Sequence, residues 1–222
     1  MPYFPVFLDL SDTTCLVTGA GDVGRRKIFR LLDCGAGLVR IVDPDPPEEL
    51  LRELGEHPRV SFARRSFQPA DIEGVFLVIA STGDQETNAL ISRLCRENGI
   101  PCNIVDQPDK CSFIVPALFS RGDLNIAVST GGSSPALAGQ IKQELDQFFG
   151  PEYETWLDLL KRLRPLILEL GLPQSENKAI FQSLIDAPLL AAIRAGDRPA
   201  LEQALRQRLP AAVQAKLGAI LP

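Results

Sequence analysis

Gly19-Ala20-Gly21-Asp22-Val23-Gly24 is the stretch of this chain whose residue types and spacing most directly specify a chemistry. In such a G-x-G-x-x-G run, Gly19 makes a tight turn and Gly21 lets backbone approach a pyrophosphate without an intervening side chain. Gly24 lets a helix pack closely on a sheet. A helix opening at Asp22 and Val23 would turn its unpaired N–H groups and positive dipole end toward the phosphates. A strand before the loop and a helix after it are the context that gives the glycines this meaning. The loop predicts a bound nicotinamide dinucleotide.

An acid is expected about 20 residues on, at the end of the second strand, to hydrogen-bond the ribose. Asp43 stands there, and a carboxylate at that point repels a 2′-phosphate, favouring NAD over NADP. The competing reading makes Asp43-Pro44-Asp45-Pro46 a plain turn. Thr82, in Thr82-Gly83-Asp84 after the fourth apolar run, falls at the edge that commonly faces the nicotinamide ribose, while Asp84 reads as a helix N-cap. Arg25, Arg26 and Lys27 read as a solvated helix face, and the pair Arg64-Arg65 has no assignment from sequence.

The elements needed to position these residues are legible. Apolar runs at 13–18, 38–42, 60–63, 75–80 and 101–105 alternate with helical patterns at 22–33, 47–54 and 84–98, and Gly99 sits where a C-cap glycine belongs. This alternation implies βαβ units and a parallel sheet, so the fold class is α/β. Two further apolar segments, 113–119 and 124–129, flank Ser120-Arg121-Gly122-Asp123 and predict an antiparallel hairpin. A helix over 135–148 follows, and Gly150-Pro151 reads as a boundary before a helical remainder with breaks near 171–173, 188, 196 and 210. The expected organisation is a Rossmann-type dinucleotide domain (1–112), a small α+β segment (113–148) and a C-terminal helical domain (149–222).

Bulk properties narrow the function classes. The net charge of −5 argues against nucleic acid as the main partner. No apolar run reaches the length of a membrane span, and the start, with Pro2 and Pro5 and no basic region, does not read as a signal peptide, so a cytoplasmic protein is expected. Five cysteines with no C-x-x-C pair argue against a disulfide framework and a zinc ribbon. The single histidine, His57, reads as a loop residue, and no metal site is expected.

A substrate is suggested by segments beyond the loop. The opening Tyr3-Phe4-Pro5-Val6-Phe7-Leu8-Asp9-Leu10, the pair Arg26-Lys27, Asn103-Ile104-Val105-Asp106, Cys111-Ser112-Phe113-Ile114-Val115-Pro116-Ala117, and the run from Ser129-Thr130-Gly131-Gly132-Ser133-Ser134-Pro135 to Ala138 occur in one order. Together they resemble the siroheme synthase N-terminal family: precorrin-2 dehydrogenases, some of which are also sirohydrochlorin ferrochelatases. The resemblance spans about residues 3 to 148.

It implies NAD-dependent oxidation of precorrin-2 to sirohydrochlorin, with Fe²⁺ insertion as an open second activity, and a homodimer built through 113–148. Asp106 matches the family's functional aspartate and would act as general base. Asn103, Ser129, Thr130, Gly131 and Gly132 would meet the polycarboxylate tetrapyrrole. The Ser129–Pro135 loop also has a physical case, because Ser134 as N-cap and Pro135 at the first helical position make a helix start able to bind an anion. Asp43 departs from the small or neutral residue common in relatives. The alternative from another class is an NAD-binding redox sensor or scaffold without catalysis.

Overall fold

The computed structural model describes residues 3–185 and 187–221. It divides into two compact units, one running to Val115 and one starting at Pro116.

In the first unit the elements run β1 (Thr14–Thr18), α1 (Asp22–Asp33), β2 (Leu38–Val42), α2 (Glu48–Leu54), β3 (Val60–Ala63), β4 (Leu77–Ala80), α3 (Gln85–Glu97) and β5 (Cys102–Ile104). All five strands are parallel, in the order β3-β2-β1-β4-β5. The order reverses between β1 and β4, and that switch point is where open α/β sheets bind ligands at their carboxyl edge.

Side-chain alternation sends Cys15, Val17, Val39, Ile41, Leu77 and Ile79 to one face, under Ile28, Leu31 and Leu32 of α1 and Leu50 and Leu54 of α2. Leu16, Val42, Val78, Ala80 and Ile104 face the other way, onto Ile91 and Cys95 of α3. Burial on both faces is why these strands read as nearly continuous apolar runs.

Local signals place the helix ends. Asp84 caps α3, accepting from the N–H of Glu86 (3.0 Å) and Thr87 (3.3 Å). Gly99 follows that helix in the left-handed region, at φ 67°. The expected strand at 113–119 starts later, because Cys111, Ser112 and Phe113 are tied back to β5. Ser112 N–H donates to Cys102 O (2.9 Å), Cys102 N–H to Ser112 Oγ (2.8 Å), and Asn103 Nδ2 to Phe113 O (3.0 Å).

In the second unit, β6 (Ala117–Arg121) and β7 (Leu124–Val128) form the antiparallel hairpin around a two-residue turn, with Gly122 at φ 54°. Next come α4 (Pro135–Phe148), α5 (Glu152–Leu168), α6 (Gln174–Ser183), α7 (Ala187–Ala195), α8 (Arg198–Arg206) and the short α9 (Ala211–Gln214) and α10 (Leu217–Ile220). Leu159, Leu163 and Ile167 form one stripe on α5, packed among Leu184, Leu189, Leu201, Leu205 and Val213. Pro188, expected as a break, sits at the start of α7, where its missing N–H has no intrahelical partner to lose.

Arg65 acquires a role that its sequence context does not suggest. Its guanidinium grips the buried Asp71 carboxylate through Nη1 (2.8 Å) and Nη2 (2.6 Å). Asp71 also accepts the Gln68 N–H (2.8 Å) and closes a capping box on the 3-10 turn Pro69–Ile72. Arg40 of β2 donates to the Asp71 carbonyl (3.1 Å), so this corner ties the turn to the sheet.

The Arg65 guanidinium holds the Asp71 carboxyl below its ordinary range, with the Gln68 N–H adding to the effect. A depressed folded-state pKa stabilises the fold above the unfolded carboxylate value of about 3.9. That contribution is lost as pH falls through the lower folded value. Asp71→Asn should cost about 2 kcal/mol in urea unfolding at neutral pH, from charge-assisted bonds made neutral. The cost should shrink below roughly pH 4.

Candidate functional site

The glycine loop joins β1 to α1 at the carboxyl edge of the sheet, and its three glycines have three different surroundings. Gly19 is at φ 83°, and a Cβ there would lie 2.5 Å from the Ser81 carbonyl oxygen and 2.8 Å from Thr82 N. A Cβ on Gly24 would strike the Gly19 carbonyl oxygen and lie 2.7 Å from Ser81 Oγ. A Cβ on Gly21 would meet no atom within 4 Å. Gly19 and Gly24 are thus glycines because the protein's own backbone presses on them, whereas Gly21 borders open space.

Gly21 is the N-cap of α1 and supplies no side-chain cap. The N–H groups of the first turn, from Asp22, Val23 and Gly24, have no intrahelical acceptors. An open backbone cradle at the positive end of a helix fits a pyrophosphate.

Asp43 follows β2 and reaches across to this loop. Its Oδ2 accepts the Ala20 N–H at 2.6 Å, and its Oδ1 accepts the Asp45 N–H at 2.8 Å. The carboxylate thus shapes the Asp43–Asp45 turn, as one sequence reading has it, and also pins the glycine loop. Each oxygen keeps a further lone pair, so ribose hydroxyls remain acceptable donors.

On the other side of β1, Ser81 Oγ stands 3.0 Å from Thr18 O and 2.8 Å from Gly19 O, stitching β4 to the loop. Thr82 Oγ1 lies 2.8 Å from Asn88 Oδ1 and 3.0 Å from the Asp84 carbonyl, so its hydroxyl serves the loop's own geometry.

Asp106 lies two residues beyond β5, at the same edge. It is the only non-glycine residue with positive φ (60°) among the described residues. Aspartate tolerates the left-handed region better than most residues, but the conformation still carries a cost. Its neighbour Cys111 holds the turn: Sγ accepts the Ile104 N–H (3.1 Å) and faces the carbonyls of Ile104 (3.2 Å) and Gln107 (3.3 Å). Asp106 itself is exposed, and its carboxylate has no hydrogen bond or ion pair among the described residues. A strained residue offering a free carboxylate is suited to accept a proton.

Asn103, expected to meet substrate, instead has Nδ2 engaged with Phe113 O at 3.0 Å. Gly19, Gly21, Asp22, Val23, Gly24, Asp43, Thr82 and Asp106 are therefore gathered at one sheet edge. Ser129, Thr130, Gly131 and Gly132 belong to the second unit. There Thr130 Oγ1 bonds both the carbonyl (3.0 Å) and the N–H (3.1 Å) of Ser134, and Ser129 Oγ accepts the Gly131 N–H (3.1 Å). Ser134 caps α4 through Leu137 N–H (3.2 Å). Gly131 and Gly132 take φ of 62° and 88°. The positioning residues that sequence reading passed over are Ser81 and Cys111. Ser81 carries no spacing signal, and Cys111 stands in the family-like run without any sign of the bonds its thiol makes.

The family model described as "Putative NAD(P)-binding" matches residues 6–117. The chain belongs to this family. A second model, described as "Sirohaem biosynthesis protein central", matches residues 121–147, so the resemblance to siroheme synthases holds in both units. Curated relatives agree. A siroheme synthase of Nitrosomonas europaea is 33% identical over 94% of this chain and 44% of its own length. One of Methylococcus capsulatus is 39% identical over 76% of this chain and 36% of its own. The chain thus spans less than half the length of these relatives. Among solved structures, SirC, a precorrin-2 dehydrogenase, matches with a TM-score of 0.76 at 27% identity, covering 92% of this chain and 100% of that one. The parallel Rossmann-type sheet followed by helices is the fold of this NAD(P)-binding family member.

The glycine surroundings separate folding from ligand binding. Gly24→Ala should lower the unfolding midpoint sharply, because its Cβ meets backbone that cannot yield. Gly21→Ala should cost much less, about 0.5–1 kcal/mol, the scale of putting alanine at an N-cap. Equal losses in thermal unfolding would mean that Gly21, like Gly24, is held by packing.

Proposed function

We propose that this chain is an NAD-dependent precorrin-2 dehydrogenase, forming sirohydrochlorin in siroheme biosynthesis. The observation that carries the reading is the pairing, at one sheet edge, of an open glycine cradle with the free, strained carboxylate of Asp106. Its support is the family match and the full-length likeness to a precorrin-2 dehydrogenase.

Oxidation of precorrin-2 removes a hydride and a proton. Bound NAD⁺ supplies the hydride acceptor. The chain's own residues hold and orient the reactants. Gly21 leaves room for the pyrophosphate, Gly19 and Gly24 set the turn and the close approach of α1 behind it, and the N–H groups of Asp22 and Val23 would meet the phosphates. Asp43 would accept the ribose hydroxyls that remain to it, and Thr82 lines the edge beside the nicotinamide half. Asp106 would take the proton at its carboxylate oxygen. The same carboxylate is chemically suited to receive pyrrole protons during Fe²⁺ insertion. The Ser129–Gly132 loop would hold substrate carboxylates through its N–H groups and hydroxyls, and Asn103 would act by fixing the chain beyond β5.

On this reading residues 1–112 bind the dinucleotide, 113–148 join two copies into a homodimer, and 149–222 form the helical C-terminal domain. Leu137 and Phe148 on α4 are 47% and 69% exposed, which supports an apolar contact there. No helix among the described residues is long and apolar enough to cross a membrane.

Mixing the protein with precorrin-2 and NAD⁺ should produce NADH and the sirohydrochlorin spectrum together, and absence of turnover overturns the proposal. Asp106→Asn should reduce dehydrogenation roughly 10²-fold or more, the scale of a lost general base, with NAD⁺ affinity unchanged. Wild-type rates would make Asp106 structural only. For the dimer, Leu137→Glu with Phe148→Glu should shift the sedimentation coefficient to that of a monomer.

A further inference from the structure

Beside Asp43 stands a cation that the proposed mechanism does not use. The β2–β3 pairing continues past the strands: Val42 is in register with Ala63, and Asp43 N–H donates to Ala63 O at 3.2 Å. The same carbonyl accepts the Arg65 N–H at 2.9 Å, which makes Arg64 the apex of a tight turn at the carboxyl end of β3. Arg64 therefore follows the last registered pair on β3, as Asp43 does on β2, and the two flank each other at the carboxyl end of these strands.

Four neighbouring arginines are engaged. Arg65 holds Asp71, Arg40 holds the Asp71 carbonyl, Arg59 donates to Ala36 O, and Arg25 is paired with Glu53 and Glu49. Arg64 is exposed and has no hydrogen bond or ion pair among the described residues. It does not pair with Asp43, whose two oxygens are turned to the N–H groups of Ala20 and Asp45. The edge thus offers a carboxylate already held by backbone and, next to it, an uncommitted guanidinium.

We infer that Arg64 is a specificity-determining residue of the dinucleotide site, offsetting the repulsion of Asp43 toward a 2′-phosphate so that the site accepts NADP⁺ as well as NAD⁺. The inference rests on the proposed reading of the glycine loop as a dinucleotide cradle. A 2′-phosphate adds close to two negative charges at the adenosine ribose, the part of the ligand that the end of β2 receives. Asp43 alone would oppose it. A guanidinium one strand away supplies the opposite charge and a planar fork suited to phosphate oxygens. Because the site is exposed, the contribution is screened by salt.

The test is calorimetric titration of the whole chain with NAD⁺ and NADP⁺, and with 5′-ADP and 2′,5′-ADP, at low and high salt. Wild type should bind both dinucleotides. Arg64→Gln should weaken NADP⁺ and 2′,5′-ADP roughly tenfold or more, the scale of a lost charge-assisted bond, and NAD⁺ and 5′-ADP less than about threefold. Arg64→Lys should keep most of the NADP⁺ affinity, and the salt dependence of NADP⁺ binding should fall in the glutamine variant. Equal effects on the two dinucleotides, no effect on either, or a wild type that binds NAD⁺ but not NADP⁺ would each overturn the role of Arg64 while leaving the dehydrogenase proposal standing. Failure of wild type to bind any of the four ligands would overturn the dinucleotide cradle itself, and this inference with it.

Discussion

The approach of α1 to the loop that precedes it is the constraint on which the site depends. The Gly24 position rests on the carbonyl of Gly19, and Ser81 Oγ closes on the same carbonyl from β4 at 2.8 Å. No side chain fits between them. The helix therefore begins as close to the sheet as backbone permits, with its N–H groups directed out over the carboxyl edge. Gly21, at the front of the turn, is left facing open space. One steric fact thus creates both the compactness behind the loop and the open face at Gly21.

The flanking hydrogen bonds protect that arrangement. Asp43 pulls on Ala20 from β2, Gly19 N–H is bonded to Val42 O (3.0 Å), and Ser81 N–H to Thr18 O (2.8 Å). The loop is held from both neighbouring strands, so a ligand would meet a preorganised cradle and lose little further freedom on binding. The Asp106 turn follows the same economy of means. Cys111 and Ser112 lock the chain beyond β5, and the left-handed residue they hold presents its carboxylate to solvent. The surrounding backbone bonds sustain a conformation that an isolated peptide would rarely adopt.

The helical part is stabilised differently. Leu159, Leu163 and Ile167 gather leucines from the later helices, and Glu152, buried at the start of α5, is neutralised by Arg194 at 2.6 Å. An aromatic ladder of Phe119, Phe149, Tyr153 and Trp156, with ring centroids 4.9–5.9 Å apart, joins the hairpin to α5. These contacts supply apolar burial and leave the Thr130–Ser134 turn to shape the start of α4 by hydrogen bonds alone.

Much of this was legible in the sequence. Nearly continuous apolar runs and capped helical patterns are local signals, so the βαβ order, the α1, β2, β3 and α4 boundaries, the Asp84 and Ser134 caps and the glycine loop could be read directly. What stayed hidden depends on which distant groups meet. The delay of the 113–119 strand follows from bonds back to β5, ten residues away in sequence. Asn103 became a clasp for Phe113 because its amide lies beside that carbonyl. Arg65 found Asp71 because the chain turns back within six residues after β3, and Arg64 came to lie beside Asp43 through the register of β2 and β3. The residue types and spacing determined that a glycine cradle with an acid after β2 would form. The tertiary structure decided that Gly21 alone faces open space and that Asp43 is already engaged by the loop. Steric closeness and hydrogen-bond pairing are properties of three-dimensional neighbours, and sequence distance does not encode them.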